Sequence, residues 1–327
     1  MEKSVNSAAV VETTIEQRAI DRKRGVVRLI QIIKSLLGMS RAPVAIFVVA
    51  HAGLAAILAK GEMPETRIII IGIFACLTGT AALISLNDLL DVELDRKRMA
   101  YANVDSSLDL GSLFIHHPVA KGVIGMRLGI AWSTVLSLIS LYLISLIRAD
   151  LWPIFIAIAV CVVLYSKLSQ VTFLKFLAVA MAVTLGALAG WFAVGGVVNR
   201  AFIIFAVWTF VWEIGGRNIP NDFNDIEEDR PLGTKTIPVV FGPERAAQAV
   251  FTMLVLTFFL SIAMVGTTGF SVYFKVAVPL LGIYLLLFPG MMLLLDARPE
   301  VSVKLYNRSA FYPLVLLAAL MMSLYLS

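Results

Sequence analysis

Nine long stretches of apolar residues run along the chain, and short polar segments separate them. They occupy residues 42–59, 68–87, 124–147, 151–166, 171–197, 201–216, 247–266, 271–295 and 309–326. Most are close to the roughly 20 residues that a helix needs to cross a bilayer. None shows the period-two alternation of membrane strands. The pattern therefore predicts an all-α integral membrane protein with nine transmembrane helices.

The composition supports this prediction and limits the number of domains. Of the 327 residues, 59% are hydrophobic and 15% are charged, whereas a soluble domain has about a quarter of its residues charged. Because no long polar stretch separates the spans, we expect a single membrane domain over 39–327. Residues 1–38 form a polar, basic tail, and 26–38 have the pattern of a short amphipathic helix on the membrane surface.

The distribution of positive charge predicts the orientation of the chain. With the amino terminus in the cytoplasm, 22 of the 27 lysine and arginine residues fall in the tail and the even-numbered loops. Positive residues collect on the cytoplasmic side of membrane proteins, so we predict a cytoplasmic amino terminus. The same bias explains the net charge of +5, so the sequence gives no reason to expect nucleic-acid binding.

An acidic motif occurs twice, each time at the end of an apolar stretch. Residues 87–95 read N-D-L-L-D-V-E-L-D, and residues 221–229 read N-D-F-N-D-I-E-E-D. On a continuous helix, every fourth residue of such a motif shares one face. Four predicted spans separate the two copies, so both should emerge on the cytoplasmic side. This predicts a pseudo-repeat of two four-helix halves that meet at a shared site.

The residue types of the two motifs indicate a metal-dependent reaction of a diphosphate. Carboxylate oxygens suit Mg²⁺, which commonly takes further ligands from a substrate's phosphates. Basic residues follow each motif, and cations of this kind neutralise phosphate oxygens. One motif alone is typical of a solvated loop at a helix end. Two copies on one side of the membrane favour a shared site instead.

At these motifs the chain resembles the UbiA superfamily of intramembrane prenyltransferases. The similarity continues through D-R-P-L-G-T-K-T-I-P-V-V-F-G at 229–242, P-V-A-K-G at 118–122 and R-A-P at 41–43. It covers nearly the whole chain and implies nine transmembrane helices around a central cavity. Two positions depart from the family pattern. His117 stands where many members have arginine, and Ser169 stands where a lysine follows Tyr165 in the motif Y-x-x-x-K.

The resemblance also implies a role for each candidate residue. The residues expected to hold Mg²⁺ are Asn87, Asp88, Asp91, Asp95, Asn221, Asp222, Asp225 and Asp229, and catalysis is expected to depend on Asp91, Asp95, Asp225 and Asp229. The residues expected to bind the diphosphate are Arg41, Arg98, Lys121, Arg217, Arg230 and Lys235. The aromatic residues expected to line the prenyl pocket are Tyr165, Trp191, Trp208 and Trp212.

Some of these assignments have open alternatives. Asp88 either binds metal or hydrogen-bonds a neighbouring cation. Lys167 and Lys175 are candidates to replace the lysine missing at position 169, although neither has the family spacing. His116 and His117 are candidates for phosphate binding or proton transfer near the site. Each aromatic side chain is also compatible with a position facing lipid.

The implied function is transfer of a prenyl group from an allylic isoprenoid diphosphate to a small acceptor within the bilayer. The expected acceptor is aromatic, and the expected intermediate is an allylic carbocation. One alternative is a terpene cyclase of the same superfamily, which uses the isoprenoid diphosphate alone. A cation transporter is less favoured, because its acidic residues should lie deep within the spans rather than at their ends.

Overall fold

The computed structural model describes residues 25–99, 115–267 and 269–325, and these residues form helices without any strand. The predicted all-α fold class is therefore confirmed. The predicted amphipathic segment lies in α1, a helix over 25–39 with exposed apolar side chains such as Val26 and Ile30. Residues 1–24 of the predicted basic tail, which runs over 1–38, lie outside the described residues. The cytoplasmic position of the tail stays a prediction.

The helices that follow α1 are mostly long, and short ones cluster around the acidic motifs. In chain order they are α2 (Ala42–Lys60), α3 (Thr66–Leu90), α4 (Val92–Arg98), α5 (Met126–Ile147), α6 (Trp152–Leu168), α7 (Lys175–Ala193), α8 (Arg200–Trp212), α9 (Ile219–Asn224), α10 (Ile226–Leu232), α11 (Ile237–Phe241), α12 (Pro243–Gly266), α13 (Val272–Gly282), α14 (Phe288–Leu295), α15 (Pro299–Ala310) and α16 (Tyr312–Tyr325). Two π-helical turns, Glu213–Asn218 and Ile283–Leu287, join α8 to α9 and α13 to α14.

Eight segments of the described chain are long and apolar enough to cross a membrane. They are Thr66–Leu90, Met126–Ile147, Ala149–Leu168, Lys175–Ala193, Arg200–Asn224, Pro243–Gly266, Val272–Leu295 and Pro299–Tyr325. A ninth apolar helix, Ala45–Lys60, is shorter. These segments lie where the nine spans were predicted and define an integral membrane protein that crosses the bilayer several times.

The sixth span is longer than its apolar stretch. We predicted that it ends at residue 216, but the helical segment continues to Asn224 through the π-helical turn Glu213–Asn218. Polar residues lower the hydropathy of this extension, yet Asn218 and Asp222 are buried and Arg217 and Asn221 are half-buried in the interior of the protein. Hydropathy therefore ends the span too early, because polar residues that face the interior are not exposed to lipid.

Hydroxyl groups join the helices of the first half across their apolar interfaces. Ser133 Oγ on α5 donates to the Ala82 carbonyl on α3 at 3.0 Å, and Ser140 Oγ donates to the Ala75 carbonyl at 3.0 Å. Hydrogen bonds of this kind contribute about 0.6 kcal/mol each between membrane helices. The pairing of α3 with α5 thus combines apolar packing with hydrogen bonds at fixed positions.

The close approach of α2 and α7 depends on Gly190. A methyl group at this position would lie 2.2 Å from the Ala52 carbonyl oxygen, which is backbone and has little room to move. We expect Gly190→Ala to lower the free energy of unfolding by about 1–3 kcal/mol, since overpacking forces helices apart. Gly186→Ala on the same helix is the control, because its methyl group would only reach Val48 Cγ1 at 4.0 Å. Thermal unfolding in detergent micelles measures both.

A central cavity of about 590 Å³ lies among α2, α3, α6 and α7. It extends from Pro64, before α3, to Asn87 and Asp88 near the end of that helix. Its walls are largely apolar, and its polar lining residues include Asn87, Asp88 and Asn221 of the acidic motifs. An apolar cavity with a few polar groups is the usual form of a site for a small hydrophobic ligand.

Candidate active site

The two acidic motifs share one backbone conformation. Asp91 follows α3 with φ −96° and ψ 5°, and Asp225 follows α9 with φ −99° and ψ 5°. A new short helix begins after each of them, so each motif spans a break between two helices, although the Asp95 N–H still donates to the Asp91 carbonyl at 2.8 Å and the Asp229 N–H to the Asp225 carbonyl at 2.7 Å. The break lets α4 contact α10, which carry Asp95 and Asp229 respectively. Two matching breaks support the predicted internal repeat.

His117 lies between the carboxylates of the first motif. Its Nδ1 is 2.8 Å from Asp88 Oδ1 and 2.7 Å from Asp95 Oδ2. Neither oxygen lies in line with the ring N–H, so these are close ionic contacts rather than well-formed hydrogen bonds. Burial alone would lower the pKa of His117, but the contacts with Asp88 and Asp95 outweigh it and raise the pKa to about 9. The imidazole therefore carries a positive charge at neutral pH.

Backbone strain is concentrated beside the same site. Among the described residues, Arg41 and His117 are the non-glycine residues with positive φ, at 41° and 50°. A left-handed conformation costs of the order of 1 kcal/mol or more for such residues, and strain of this kind often marks a functional site. The conformation of His117 is offset by its two carboxylate contacts. Arg41 lines the end of the cavity near Asp88.

Arg98 joins the two motifs. Its Nη2 donates to Asp229 Oδ1 at 2.7 Å, its Nη1 lies 3.7 Å from Asp95 Oδ1, and its Nε lies 3.9 Å from Glu228 Oε2. The two acidic rows therefore meet at one end of the bundle, as the even number of intervening spans predicts. The acidic neighbours outweigh burial and raise the pKa of the Arg98 guanidinium. Burial raises the pKa of Asp225, and the nearby positive charge of Arg98 acts in the opposite direction.

Asn87 connects the first motif to α6. Its Nδ2 donates to Asp91 Oδ2 at 3.2 Å, and its Oδ1 accepts from Ser166 Oγ at 3.2 Å. The predicted metal-binding oxygen of Asn87 is therefore already hydrogen-bonded, and binding to a cation would replace the bond from Ser166. The sequence did not identify Ser166 as a site residue, because a serine in an apolar span usually has only a packing role. Burial raises the pKa of Asp91 in the same group.

Lys175, one of the two candidates to replace the lysine missing at position 169, lies beside the second motif. It is only 4% exposed, and its Nζ lies 3.6 Å from Asp222 Oδ1 and 5.0 Å from the centre of the Tyr165 ring. The Ser169 hydroxyl instead donates to the Ser166 carbonyl at 2.8 Å. Lys167, the other candidate, is exposed. A lysine from the start of α7 thus reaches the second motif although it lacks the family spacing.

The remaining predicted cations differ in their surroundings. Arg217 lines the cavity and donates from Nη2 to the Tyr306 hydroxyl at 2.7 Å. Lys235 is exposed, and its Nζ donates to the Val171 carbonyl at 2.9 Å. Lys121 and Arg230 are exposed side chains. Their roles in binding a diphosphate stay predictions.

The predicted aromatic residues divide into two pairs. Tyr165 and Trp212 line the cavity. Trp191 and Trp208 are fully buried in the core outside the cavity lining, where Trp191 Nε1 donates to the Val197 carbonyl and Trp208 Nε1 to Ser261 Oγ. The latter pair is therefore placed to support the wall of the cavity and not to contact its contents.

The donor set of the first motif fits a divalent cation. Single ligand atoms of Asp88, Asp95 and His117 lie within 4.8 Å of one another, but a positively charged imidazole cannot bind a metal, so a cation would take the place of His117 beside the two carboxylates. Within the described part of the chain, Oδ2 of both aspartates is buried without a hydrogen-bond partner. Hard carboxylate oxygens suit Mg²⁺ or Mn²⁺ better than softer metals. Buried acidic groups of this kind are costly unless a cation compensates them.

An all-helical membrane bundle with paired acidic motifs at the end of an apolar cavity defines the class of intramembrane prenyltransferases. The model of the UbiA prenyltransferase family matches residues 46–312, and the chain belongs to this family. It is accordingly a prenyltransferase.

The chain is also similar to individual enzymes, at sequence identities of 28% and 27%. The digeranylgeranylglyceryl phosphate synthase of Thermococcus gammatolerans is 28% identical over 241 residues, which cover 72% of this chain and 81% of the relative. The corresponding enzyme of Thermococcus kodakarensis is 27% identical over 206 residues, covering 62% of this chain and 67% of the relative.

Solved structures confirm the fold. The apo structure of a UbiA homologue from Aeropyrum pernix K1 is similar with a TM-score of 0.70, 18% identity and coverage of 86% of this chain and 98% of that chain. A UbiA homologue from Archaeoglobus fulgidus bound to DMAPP and Mg²⁺ is similar with a TM-score of 0.64, 20% identity and coverage of 90% and 100%.

Proposed function

We propose that the chain transfers a prenyl group from an isoprenoid diphosphate to a small acceptor, with Mg²⁺ and the diphosphate held between the two acidic motifs. The observation that carries this proposal is the contact of Arg98 with Asp95 and Asp229, which brings both acidic rows together beside an apolar cavity. The A. fulgidus homologue bound to DMAPP and Mg²⁺ supports the choice of ligands.

The residues proposed to hold Mg²⁺ are the asparagines and aspartates of the two motifs: Asn87, Asp88, Asp91, Asp95, Asn221, Asp222, Asp225 and Asp229. Bound Mg²⁺ would supply positive charge for the diphosphate leaving group. In the present structure, His117 and Arg98 supply the positive charge among these carboxylates. Both cations are also proposed to contact phosphate oxygens.

Lys175 is proposed to bind the diphosphate together with Arg41 and Arg98. Its ammonium group lies beside Asp222 of the second motif, and burial keeps water away from this group. A charge in a dry site acts on a neighbouring anion far more strongly than the same charge in water. Lys175 therefore stabilises the charge that develops as diphosphate departs.

The reaction proposed for this site is a substitution at the allylic carbon. The bond between that carbon and the diphosphate oxygen breaks, and its electron pair leaves with the diphosphate. The acceptor then forms a new bond to the allylic carbon, and its proton passes to the released diphosphate. The apolar cavity holds the isoprenoid chain and excludes water that would react with the carbocation. Tyr165 and Trp212 are aromatic groups in its wall that favour a nearby cation.

The proposed acceptor is a small molecule that carries a glyceryl phosphate group. The named relatives are synthases of digeranylgeranylglyceryl phosphate, which favours a glyceryl phosphate lipid over the aromatic acceptor that the sequence suggested. A cyclase remains the second candidate within the family. A transporter is disfavoured because the acidic groups lie at helix ends, beside cations suited to phosphate. The acidic face is proposed to be cytoplasmic.

A membrane assay tests the proposal. Radiolabelled geranyl, farnesyl and geranylgeranyl diphosphates are each incubated with a monoalkyl glyceryl phosphate or with 4-hydroxybenzoate, in Mg²⁺ or in EDTA. We expect transfer of label to one acceptor in Mg²⁺, loss of at least about 100-fold in EDTA, and recovery on adding Mg²⁺. Formation of a cyclic product in the absence of an acceptor would show that the enzyme catalyses cyclisation and not transfer. Undiminished turnover in EDTA would contradict the proposed metal site.

A further inference from the structure

Two positively charged side chains lie on the outer face of α15, away from the acidic motifs. Lys304 and Arg308 are one helical turn apart, and both are exposed. The opposite face of α15 packs on α9 of the second motif, where Ser302 Oγ donates to the Pro220 carbonyl at 2.8 Å. Within the described residues, neither Lys304 nor Arg308 makes a salt bridge. The two cations are therefore free to bind an anion from outside the protein.

Arg308 lies against two aromatic rings of the neighbouring span. Its guanidinium carbon is 5.6 Å from the centre of the Tyr284 ring and 6.0 Å from that of Phe288. Both rings are exposed, at 60% and 51%. Tyr284 belongs to the π-helical turn Ile283–Leu287, and such turns often occur at functional sites. The proposed prenyl transfer does not use this turn. We call Lys304, Arg308, Tyr284 and Phe288 the Arg308 patch.

The patch lies at the depth of the hydrocarbon. The span Val272–Leu295 has 24 residues, so it is about 36 Å long, against about 30 Å for the hydrocarbon core of a bilayer. Counted back from Leu295, Phe288 is about 10 Å and Tyr284 about 16 Å from the end of the span. Because Arg308 contacts both rings, its guanidinium lies on the lipid-exposed surface below the level of the head groups.

A cation in this position needs an anionic partner. A charged side chain that faces lipid is costly and rare, and the two aromatic rings compensate only part of this cost. Helical side chains tilt toward the start of their helix, and α15 enters the membrane from its first residues. The long side chains of Lys304 and Arg308 therefore reach back toward the head groups. The first anion that they meet there is a lipid phosphate.

The charge of the patch favours a particular kind of lipid. A guanidinium binds phosphate through two N–H groups at once, and Lys304, one turn away, adds a second positive charge. A phosphatidylcholine head group brings its own cation, which the patch repels. A phospholipid with a net negative charge has no such cation. Glu300 lies one further turn toward the start of α15, where it is exposed, and it does not pair with Lys304 within the described residues.

We propose that the Arg308 patch binds the phosphate group of an anionic phospholipid, in the leaflet on the side of the acidic motifs. Arg308 and Lys304 hold the phosphate, and the rings of Tyr284 and Phe288 hold the guanidinium in place. That side is proposed to be cytoplasmic, where anionic lipids are concentrated. Since the other face of α15 contacts Pro220, the bound lipid stabilises the packing of α15 against the second motif. This lipid site is separate from prenyl transfer and does not depend on it.

Native mass spectrometry of the purified full chain in micelles tests the lipid site. Phosphatidylglycerol and phosphatidylcholine with the same acyl chains are added, and bound lipid is counted. We expect phosphatidylglycerol to bind about 10-fold or more tightly than phosphatidylcholine. Arg308→Gln should weaken phosphatidylglycerol binding about 10-fold or more, and Lys304→Gln and Tyr284→Leu about 3-fold or more each.

Thermal unfolding provides a second readout. Phosphatidylglycerol should raise the unfolding temperature of the wild type by about 3 °C or more, because a ligand of the folded state stabilises it. The rise should be absent in Arg308→Gln. Without added lipid, this variant should unfold within about 2 °C of the wild type, since Arg308 is exposed. If Arg308→Gln fails to fold, Lys304→Gln decides the question.

The controls separate a lipid site from a general anion site. Arg298→Gln removes an exposed arginine whose Nε already donates to Asp296 Oδ1 at 2.7 Å, and it should leave phosphatidylglycerol binding within about 2-fold. Diacylglycerol with the same acyl chains should not raise the unfolding temperature, and inorganic phosphate should not displace phosphatidylglycerol. Equal binding of the two phospholipids, displacement by inorganic phosphate, or undiminished binding in both Arg308→Gln and Lys304→Gln would overturn the inference.

Discussion

Asp91→Asn and Asp225→Asn should each abolish prenyl transfer. Each substitution keeps the size of the side chain and removes one carboxylate from one of the two motifs. If both motifs hold the same metal-bound diphosphate, either loss should lower kcat/KM by at least about 10³-fold, which corresponds to about 4 kcal/mol of transition-state stabilisation. Product formation in membranes measures the effect, and unfolding temperature checks that the variants remain folded.

Two exposed glutamates in the same motifs provide the matched controls. Glu93 and Glu227 lie close in sequence to the aspartates but are exposed on α4 and α10. Glu93→Gln and Glu227→Gln remove the same charge and should alter kcat/KM by less than about 3-fold, because exposed charges are screened by solvent. Activity that survives in both aspartate variants, or falls equally in the glutamate variants, would rule out the assigned roles.

Lys175→Gln should have the second largest effect. The substitution removes a buried cation and leaves the Asp222 carboxylate without its partner at 3.6 Å. We expect kcat/KM for the prenyl diphosphate to fall about 10²-fold or more, as is typical when a preorganised charge in a dry site is lost. Steady-state kinetics with varied diphosphate concentration measures the change.

Lys167→Gln is the control for this prediction, because Lys167 is an exposed lysine near the end of α6. It should leave kcat/KM within about 2-fold of the wild type. A further variant restores the family spacing by combining Lys175→Gln with Ser169→Lys, and it should recover part of the lost activity. If Lys175→Gln and Lys167→Gln were equally active, the assignment of Lys175 to the diphosphate would be wrong.

The membrane-spanning helices were predictable from sequence because their pattern is set by lipid. The apolar stretch at 68–87 became a helix over Thr66–Leu90, and the stretch at 124–147 became Met126–Ile147. The predicted end of the sixth span at residue 216 was wrong because the residues that follow it do not face lipid. Arg217 and Asn218 lie inside the protein, where polarity no longer reports contact with water.

The motifs of the site were likewise readable, but their arrangement was not. Spacing placed the two acidic rows on one side of the membrane, and Arg98 shows that they meet. The breaks at Asp91 and Asp225 could not be predicted from the spacing of the motifs, because they are defined by the backbone dihedral angles of these two residues. The sequence offered both Lys167 and Lys175 as replacements for the lysine at position 169 and could not choose between them, because the location of Lys175 depends on the turn between α6 and α7.

A measurement of metal binding with a non-reacting substrate tests whether the two acidic motifs form one site. Mn²⁺ replaces Mg²⁺, geranyl thiodiphosphate replaces the natural donor, and electron paramagnetic resonance measures the bound metal. We predict Mn²⁺ binding in the wild type that depends on the thiodiphosphate and is lost in Asp91→Asn and in Asp225→Asn alike. Undiminished binding in either variant would contradict a site shared by the two motifs.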